Sequence, residues 1–481
     1  MVKRLVKYFL VVLSAIVTAL FIVGALLGYQ AYLIKNDVAA LLHNIQSGAS
    51  VDSQKQLTSK IDSEISRTAT FLELPIFRPV VHRYIPDPHS EFVLARTMIK
   101  LAPSIMGSER PKKYLLVFQN SAEARGTGGI IGAYAELQIS RGTITVLRQG
   151  SNVGLQSQVT IPVAMPNEYN ALYGSDPGIW QNSNMSPHFP YAAKIWSALW
   201  QKQFHEKLDG VLATDPIALS YVLRATGPIT LASGEKITAS NVVEKTLSTA
   251  YKRFESDNNA RKEYLVEVMK AVVNELTSGR FSKLTFAREI QTPVLDRRIL
   301  FAIANRTDQI QLLPTIISGN LDLHPNNEFR AVLLNTAGNK LDYYLSKKIS
   351  ITAKACGKPL ETAFQVTITN HLKKAPKLPD YVLGRLDLKL AHGAQGRQGY
   401  ALLIYGPSDA EITSALRSDQ SQESPFISHE RHRPIAIFKS DLAPSTSETY
   451  TVDFSGGIGP ITYVKQPLVK PEGLTRIKSC R

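Results

Sequence analysis

Lys113-Tyr-Leu-Leu-Val-Phe-Gln-Asn-Ser-Ala-Glu-Ala-Arg-Gly-Thr-Gly-Gly-Ile-Ile-Gly132 is the stretch on which the fold turns. Lys113 to Asn120 is a short apolar run suited to a buried strand. Ile130 to Ile139, then Arg141-Gly142, then Thr143 to Leu147 reads as a hairpin with a tight turn. Gly126, Gly128, Gly129 and Gly132 lie between these strands and invite a nucleotide-loop reading. That reading fails on two counts. A phosphate-binding loop ends in Gly-Lys-Ser/Thr, and a dinucleotide loop runs from strand into helix; this one runs from strand into strand. Two readings stay open. The glycines build a turn that needs positive φ and close packing, or Gly128 and Gly129 form a floor beneath a ligand, with Arg125 and Glu123 beside it.

Towards the C-terminus the pattern alternates. Ala192 to Lys202 reads as a helix, Leu208 to Ala213 as a strand, and Asp215 to Ala225 as a helix stopped by Gly227-Pro228. Ala239 to Lys252 and Ala260 to Leu276 are two further helices, the second with an apolar stripe of Leu265, Met269, Val272 and Leu276. A mixed α/β (α+β) three-layer domain over 86–330 is expected. Near Arg330 helix patterns give out. Leu341–Ala355, Thr362–Asn370, Tyr400–Tyr405, Pro434–Phe438 and Glu448–Phe454 are short runs of β-branched or alternating character, so 331–481 is expected to form an all-β sandwich.

Towards the N-terminus, Leu57, Ile61 and Ile65 recur every fourth residue among polar ones, the mark of a helical stem over 38–85. Gly48 to Ser53 breaks it, and Pro75 and Pro79 end it. From Tyr8 to Ile34, about 27 residues carry no charge, and about 20 cross a bilayer core. Lys3, Arg4 and Lys7 precede the run, which places the N-terminus in the cytoplasm and the bulk outside. A cleaved signal peptide has a shorter apolar region. Residues 1–37 are therefore read as a cytoplasmic tip and a single transmembrane anchor, with the lipid bilayer as partner.

The net charge of +15 suits an anionic envelope or lipid head groups, and nucleic acid is excluded as the partner of a domain held outside the cell. Cys356 and Cys480 are the only cysteines; a disulfide and two free thiols both remain open. No His-Glu-x-x-His pattern or Cys/His cluster points to zinc, and no Gly-x-Ser-x-Gly elbow to a hydrolase.

Gln119-Asn-Ser-Ala-Glu-Ala-Arg-Gly-Thr-Gly-Gly-Ile-Ile-Gly-Ala-Tyr134 resembles a bacterial envelope family, domain of unknown function 4012. Asn184-Met-Ser-Pro-His-Phe-Pro190, Leu208-Asp-Gly-Val-Leu-Ala-Thr-Asp-Pro216, Thr226-Gly-Pro228 and Asn335-Thr-Ala-Gly-Asn-Lys-Leu-Asp-Tyr-Tyr344 match it in order. More distantly, Asp209 to Leu276 is similar to the catalytic domain of LytR-CpsA-Psr proteins, which move glycopolymers from polyprenyl pyrophosphate carriers onto peptidoglycan. Ala250-Tyr-Lys-Arg253 and Arg261 occupy its Tyr-x-Arg and helix-opening Arg places. This likeness implies that Arg125, Arg253 and Arg261 clamp the phosphates of a polyprenyl-phosphate lipid or peptidoglycan glycan. Arginine pairs with phosphate oxygens through charge-assisted bonds, and a helix N-terminus adds its dipole. Asn184 is then expected at the rim, and Glu123 to hold Mg²⁺. Thr127 stands where those enzymes carry a metal-holding Asp, and Leu265 where they carry Gln, so the implied phosphotransferase has a degenerate metal site. The rival expectation is a non-catalytic envelope scaffold whose β-sandwich carries the interaction surface.

Overall fold

The computed structural model describes residues 30–75, 77–79, 81, 88–255, 257–324, 326–355, 359–373, 378–385, 395–418 and 424–478. Residues 8–29 of the expected anchor, and both cysteines, lie outside the described residues. No helix among the described residues is long and apolar enough to cross a membrane. The chain divides into two compact units. One runs to Lys112 and includes Ile139–Ile144; the other holds Lys113–Gln138 and everything from Thr145.

The first unit is the helical stem. Helices 30–47 and Val51–Leu72 are separated by a turn at Gly48, whose φ of +74° a residue with a Cβ adopts only under strain. Ser50 caps the second helix, accepting a hydrogen bond from the Ser53 amide at 3.3 Å. The every-fourth-residue stripe is buried as expected: Ile61 and Ile65 pack with Leu41 and Ile45. Helix Pro88–Ile105 adds Phe92, Ile99 and Ala102 to this core, Met106 follows just past its end, and Arg96 forks onto Asp62 at 2.6 and 3.2 Å. The division between the two compact units falls at Lys112.

The second unit opens with β1 (Lys112–Arg125), β2 (Gly128–Ser140), β3 (Thr143–Ser151) and β4 (Gly210–Thr214). After a small hairpin of β5 (Ile229–Thr230) and β6 (Lys236–Ile237), β7 (Leu300–Ile303) completes a sheet of order β3-β2-β1-β4-β7. β1 and β4 are parallel, in register from Tyr114↔Gly210 to Phe118↔Thr214, and β7 is antiparallel to β4. Side chains alternate across a strand. Leu115 and Val117 meet Ile195, Trp196, Leu199 and Trp200 of helix Phe189–Phe204, while Leu116 and Phe118 meet Leu219 and Val222 of Pro216–Thr226 and Val268, Met269 and Val272 of Asn258–Ser278. Covered on both faces, β1 is apolar at every position from Tyr114 to Phe118, which is why that run lacks alternation. Asp215 starts its helix by accepting from the Ala218 amide at 2.8 Å, and Gly227 follows the end of that helix.

The C-terminal strands are β8 (Glu328–Asn335), β9 (Leu345–Ala355), β10 (Glu361–Asn370), β11 (Gln398–Tyr405), β12 (Glu411–Arg417), β13 (Phe426–Glu430), β14 (Arg433–Leu442), β15 (Ser447–Ser455), β16 (Thr462–Val464) and β17 (Gly473–Lys478). They form two five-stranded sheets, β12-β15-β10-β9-β17 and β13-β14-β11-β8-β16. One core joins the sheets, with Phe329 edge-on to both Phe364 and Phe454. β9 and β10 show the expected alternation of burial. β8 and β11 are buried at every position, because their other face supplies Val332, Leu334, Ala401, Leu403 and Tyr405 to the core of the α/β layer.

Candidate functional site

A cavity of about 640 Å³ opens between the end of β1, the helices carrying Tyr251 and Arg261, and β8, β11 and β14. Its walls divide by chemistry. Leu172, Met185, Leu265, Leu334, Leu403 and Ile437 give it apolar sides, and five cations, Arg125, Arg261, Lys262, Lys340 and Lys439, face two carboxylates, Glu123 and Asp176.

Two of the three expected clamp arginines meet here. Arg125 lines the cavity but is spent on the fold. Its Nε donates to the Gln181 carbonyl (3.0 Å), Nη1 to the carbonyls of Ala124 (2.9 Å) and Asn335 (3.1 Å), and Nη2 to Glu123 (3.0 Å) and Asn182 Oδ1 (3.0 Å). A guanidinium has five N–H donors, so a phosphate reaches Arg125 only by breaking one of these bonds. Arg261 is different. It is buried between the rings of Tyr251 (4.6 Å) and Tyr381 (4.4 Å), donates from Nη2 to Asn258, and leaves Nε without a partner. Tyr251 is held in turn by Asn120, whose Nδ2 donates to its hydroxyl at 2.6 Å.

Arg253 does not reach the cavity. It pairs with Glu235 at 2.7 Å and is nearly half exposed. Two residues along a helix turn a side chain through about 200°, so with Tyr251 inward Arg253 points out. A wider π-turn at Lys245–Thr249 precedes Tyr251; one such turn adds a residue to the helix and shifts the faces that follow.

The glycine-rich segment proves to be a turn. Gly128 has φ +141°, and a Cβ on Gly129 would lie 2.2 Å from the Asn120 carbonyl group. Gly128 and Gly129 do not line the cavity; Ile130 and Gly132 do. Asn184, expected at the rim, is fully buried behind the turn. Its Nδ2 lies within hydrogen-bonding reach of Gln119 Oε1 (3.0 Å), Thr127 Oγ1 (2.8 Å) and the Gly129 carbonyl (2.9 Å). Asn184 is therefore a lock on the hairpin, and Thr127, in the metal-ligand position of the resemblance, is one of the groups locked.

Glu123 also differs from expectation. Its carboxylate accepts from Arg125 and from Lys340, and although burial raises its pKa, those two charges hold it below the ordinary carboxylate value. A dication placed there would lie against two cations, so these residues do not fit the Mg²⁺ site. Among the described residues no group of three or more His, Cys, Asp or Glu is placed to hold a metal ion.

Lys340, Lys262 and Tyr381 line the cavity and were missed by sequence reasoning, as was Asp342, which lies outside the lining and bonds to Ala124 and Asn335. Burial lowers the Lys262 pKa, and the Arg261 and Lys340 charges push it the same way. Burial raises the Tyr381 phenol, but Lys340 and Arg261 more than offset it and leave it below 10. Lys340 and Asp342 lie in the quoted Asn335–Tyr344 motif, which was a signal for them. Tyr381, in a short helix Asp380–Leu383, gave none.

Asp342 sits under Glu123. It accepts from the Ala124 amide (2.6 Å), Asn335 Nδ2 (3.0 Å) and Gln398 Nε2 (2.6 Å). Burial pushes its pKa up to about 7, and the Glu123 charge adds to that against the hydrogen bonds. A carboxyl whose folded pKa exceeds its unfolded value costs stability as pH rises from about 4 to 7, with the full cost above. Asp342→Asn keeps the shape, and Gln398, whose Oε1 lacks a partner, can turn to accept from the new amide. The unfolding midpoint of Asp342→Asn is expected to fall less than that of the parent between pH 5 and 8; parallel curves would show that Asp342 titrates normally.

No curated protein matches this chain. Among solved structures it is similar to protein gbs0355 from Streptococcus agalactiae, at 15% identity over 46% of this chain and 76% of that one, with a TM-score of 0.26. It is also similar to Lin1025 from Listeria innocua (11%, 44% and 78%, TM-score 0.23) and to TagT bound to LI-WTA (11%, 44% and 76%, TM-score 0.23). Residues 109–251 match the model of the family described as "Protein of unknown function (DUF4012)", and the motifs from Gln119 to Pro228 lie inside this segment.

Proposed function

We propose that this is a membrane-anchored, extracytoplasmic cell-envelope protein whose cavity binds a polyprenyl-phosphate-linked or cell-wall glycan. One observation carries the reading. Arg261, stacked between two tyrosines and holding an unpaired Nε, faces the cavity with Lys262 and Lys340 while leucine, isoleucine and methionine line the rest. A phosphorylated head group matches the first surface and an isoprenoid chain the second. Desolvated cations bind phosphate more strongly than exposed ones, and a cavity of this size suits a head group with the near end of its tail. The anchor read from Tyr8–Ile34 supplies proximity to such a lipid. The engagement of Arg125 and Glu123 within the fold favours binding over phosphotransfer at this site.

Calorimetric titration of the detergent-extracted full chain tests the reading. A short-chain polyprenyl phosphate is expected to bind at least ~10-fold more tightly than the matching alcohol, one charge-assisted hydrogen bond being enough for that ratio. Equal affinity for phosphate and alcohol, or none for either, would contradict it.

A further inference from the structure

Behind the loop that Asn184 holds lies a second cavity of about 20 Å³, lined by Thr127, Arg297, Leu300, Arg330 and Lys465 among others. It has room for a single small body, a water or a monatomic ion. The charge around it does not balance. Arg297, Arg330, Arg433 and Glu328 are all buried, none above 6% exposed. Glu328 accepts from Arg330 Nε and lies 3.8 Å from Arg433 Nη2. Arg433 Nη1 donates to the carbonyls of Glu328 (2.8 Å) and Gly406 (3.2 Å) and Nη2 to that of His324 (3.2 Å), while Arg433 Nε and Glu328 Oε2 are buried with no hydrogen-bond partner among the described residues. Two neighbouring carboxylates are already engaged: Asp215 holds Arg298 at 2.5 Å, and Asp322 holds Arg431 at 2.5 Å.

Arg297 has no ion pair of its own among the described residues. Its Nη1 is buried with no hydrogen-bond partner among the described residues. Burial, helped by Arg330 and Arg433 against Glu328, lowers its pKa to about 9, so it stays charged at neutral pH. A buried cation without a counter-ion is among the costliest arrangements in a protein interior. A water would satisfy the hydrogen bond and leave the charge.

We infer that this cavity is a chloride site, in which one monatomic halide lies against Arg297 and Arg330 and offsets one of the two positive charges that Glu328 leaves unbalanced. Sulfate and phosphate, with four oxygens around a central atom, exceed the space. Lys465 on the lining strengthens the field for an anion.

Thermal unfolding of the full chain in detergent, in chloride against gluconate at matched ionic strength, reads this out. Chloride is expected to raise the midpoint saturably by at least ~2 °C, sulfate to give no such gain, and Arg297→Met to lose the chloride dependence while remaining folded. Should Arg297→Met fail to fold, anomalous diffraction from bromide-soaked crystals of the unaltered protein decides: a peak beside the Arg297 guanidinium supports the site. Midpoints that depend on ionic strength alone, or a bromide map empty at Arg297, would overturn it in favour of a bound water.

Discussion

Glu123→Ala is expected to destabilise the second unit by about 3–5 kcal/mol, the usual cost of removing one partner from a buried ion pair. The carboxylate pairs with both Arg125 and Lys340, each at most 5% exposed. Without it Lys340 keeps its place over the Tyr381 ring at 5.3 Å but loses the charge that raises its pKa against burial. Arg125 meanwhile loses one of its five bonds. Glu123→Gln retains an acceptor for Arg125 and should cost less. The sign with pH is opposite to that of Asp342. The folded pKa of Glu123 is lowered, so its contribution is full above the ordinary carboxylate value and is lost as pH falls through the folded one. Urea unfolding at pH 7 checks the size; a loss under about 1 kcal/mol would show that Glu123 is not the counter-ion of this cluster.

Arg261→Ala should weaken binding of a polyprenyl phosphate by about 10- to 100-fold, the worth of one or two charge-assisted hydrogen bonds. Its cost to the fold is modest, because Nε has no partner to lose, the bond from Nη2 goes to the neighbouring Asn258, and stacking on two tyrosines contributes only about 1–2 kcal/mol. Arg261→Lys keeps the charge and loses the planar stack, and is expected to fall between the two. Arg253→Ala is the matched control. Its guanidinium sits outside the cavity on Glu235, so affinity should be unchanged. If Arg253→Ala lowered affinity as much as Arg261→Ala, the loss would reflect general surface charge and the cavity would not be the site.

Most of the fold was legible because its physics is local. The apolar run at Lys113–Asn120, the glycines that turn it into β2, the Asp215 cap and the alternation of β9 and β10 each report their element within a few residues. β8 hid in the sequence because burial on both faces erases alternation, and β16 is too short to show it. The site was legible by halves. Arg125 and Arg261 stood out as arginines beside recognisable motifs, yet their roles depend on distant groups: the carbonyls of Gln181 and Asn335 for one, Tyr381 for the other. Helical phase separates Tyr251 from Arg253, and counting residues along the segment does not predict it when a π-turn intervenes. Glu123 looked like a free carboxylate because Lys340, its partner, is more than two hundred residues away.

The central claim is that Arg261 and its cationic neighbours hold a lipid-linked phosphate in the cavity between the α/β layer and the C-terminal sheets. Native mass spectrometry of the detergent-extracted full chain, alongside Arg261→Ala and Arg253→Ala, tests it most directly. The account predicts a bound polyprenyl phosphate species on the unaltered protein and on Arg253→Ala, and its loss from Arg261→Ala. The same lipid load on all three, or none on any, would contradict it.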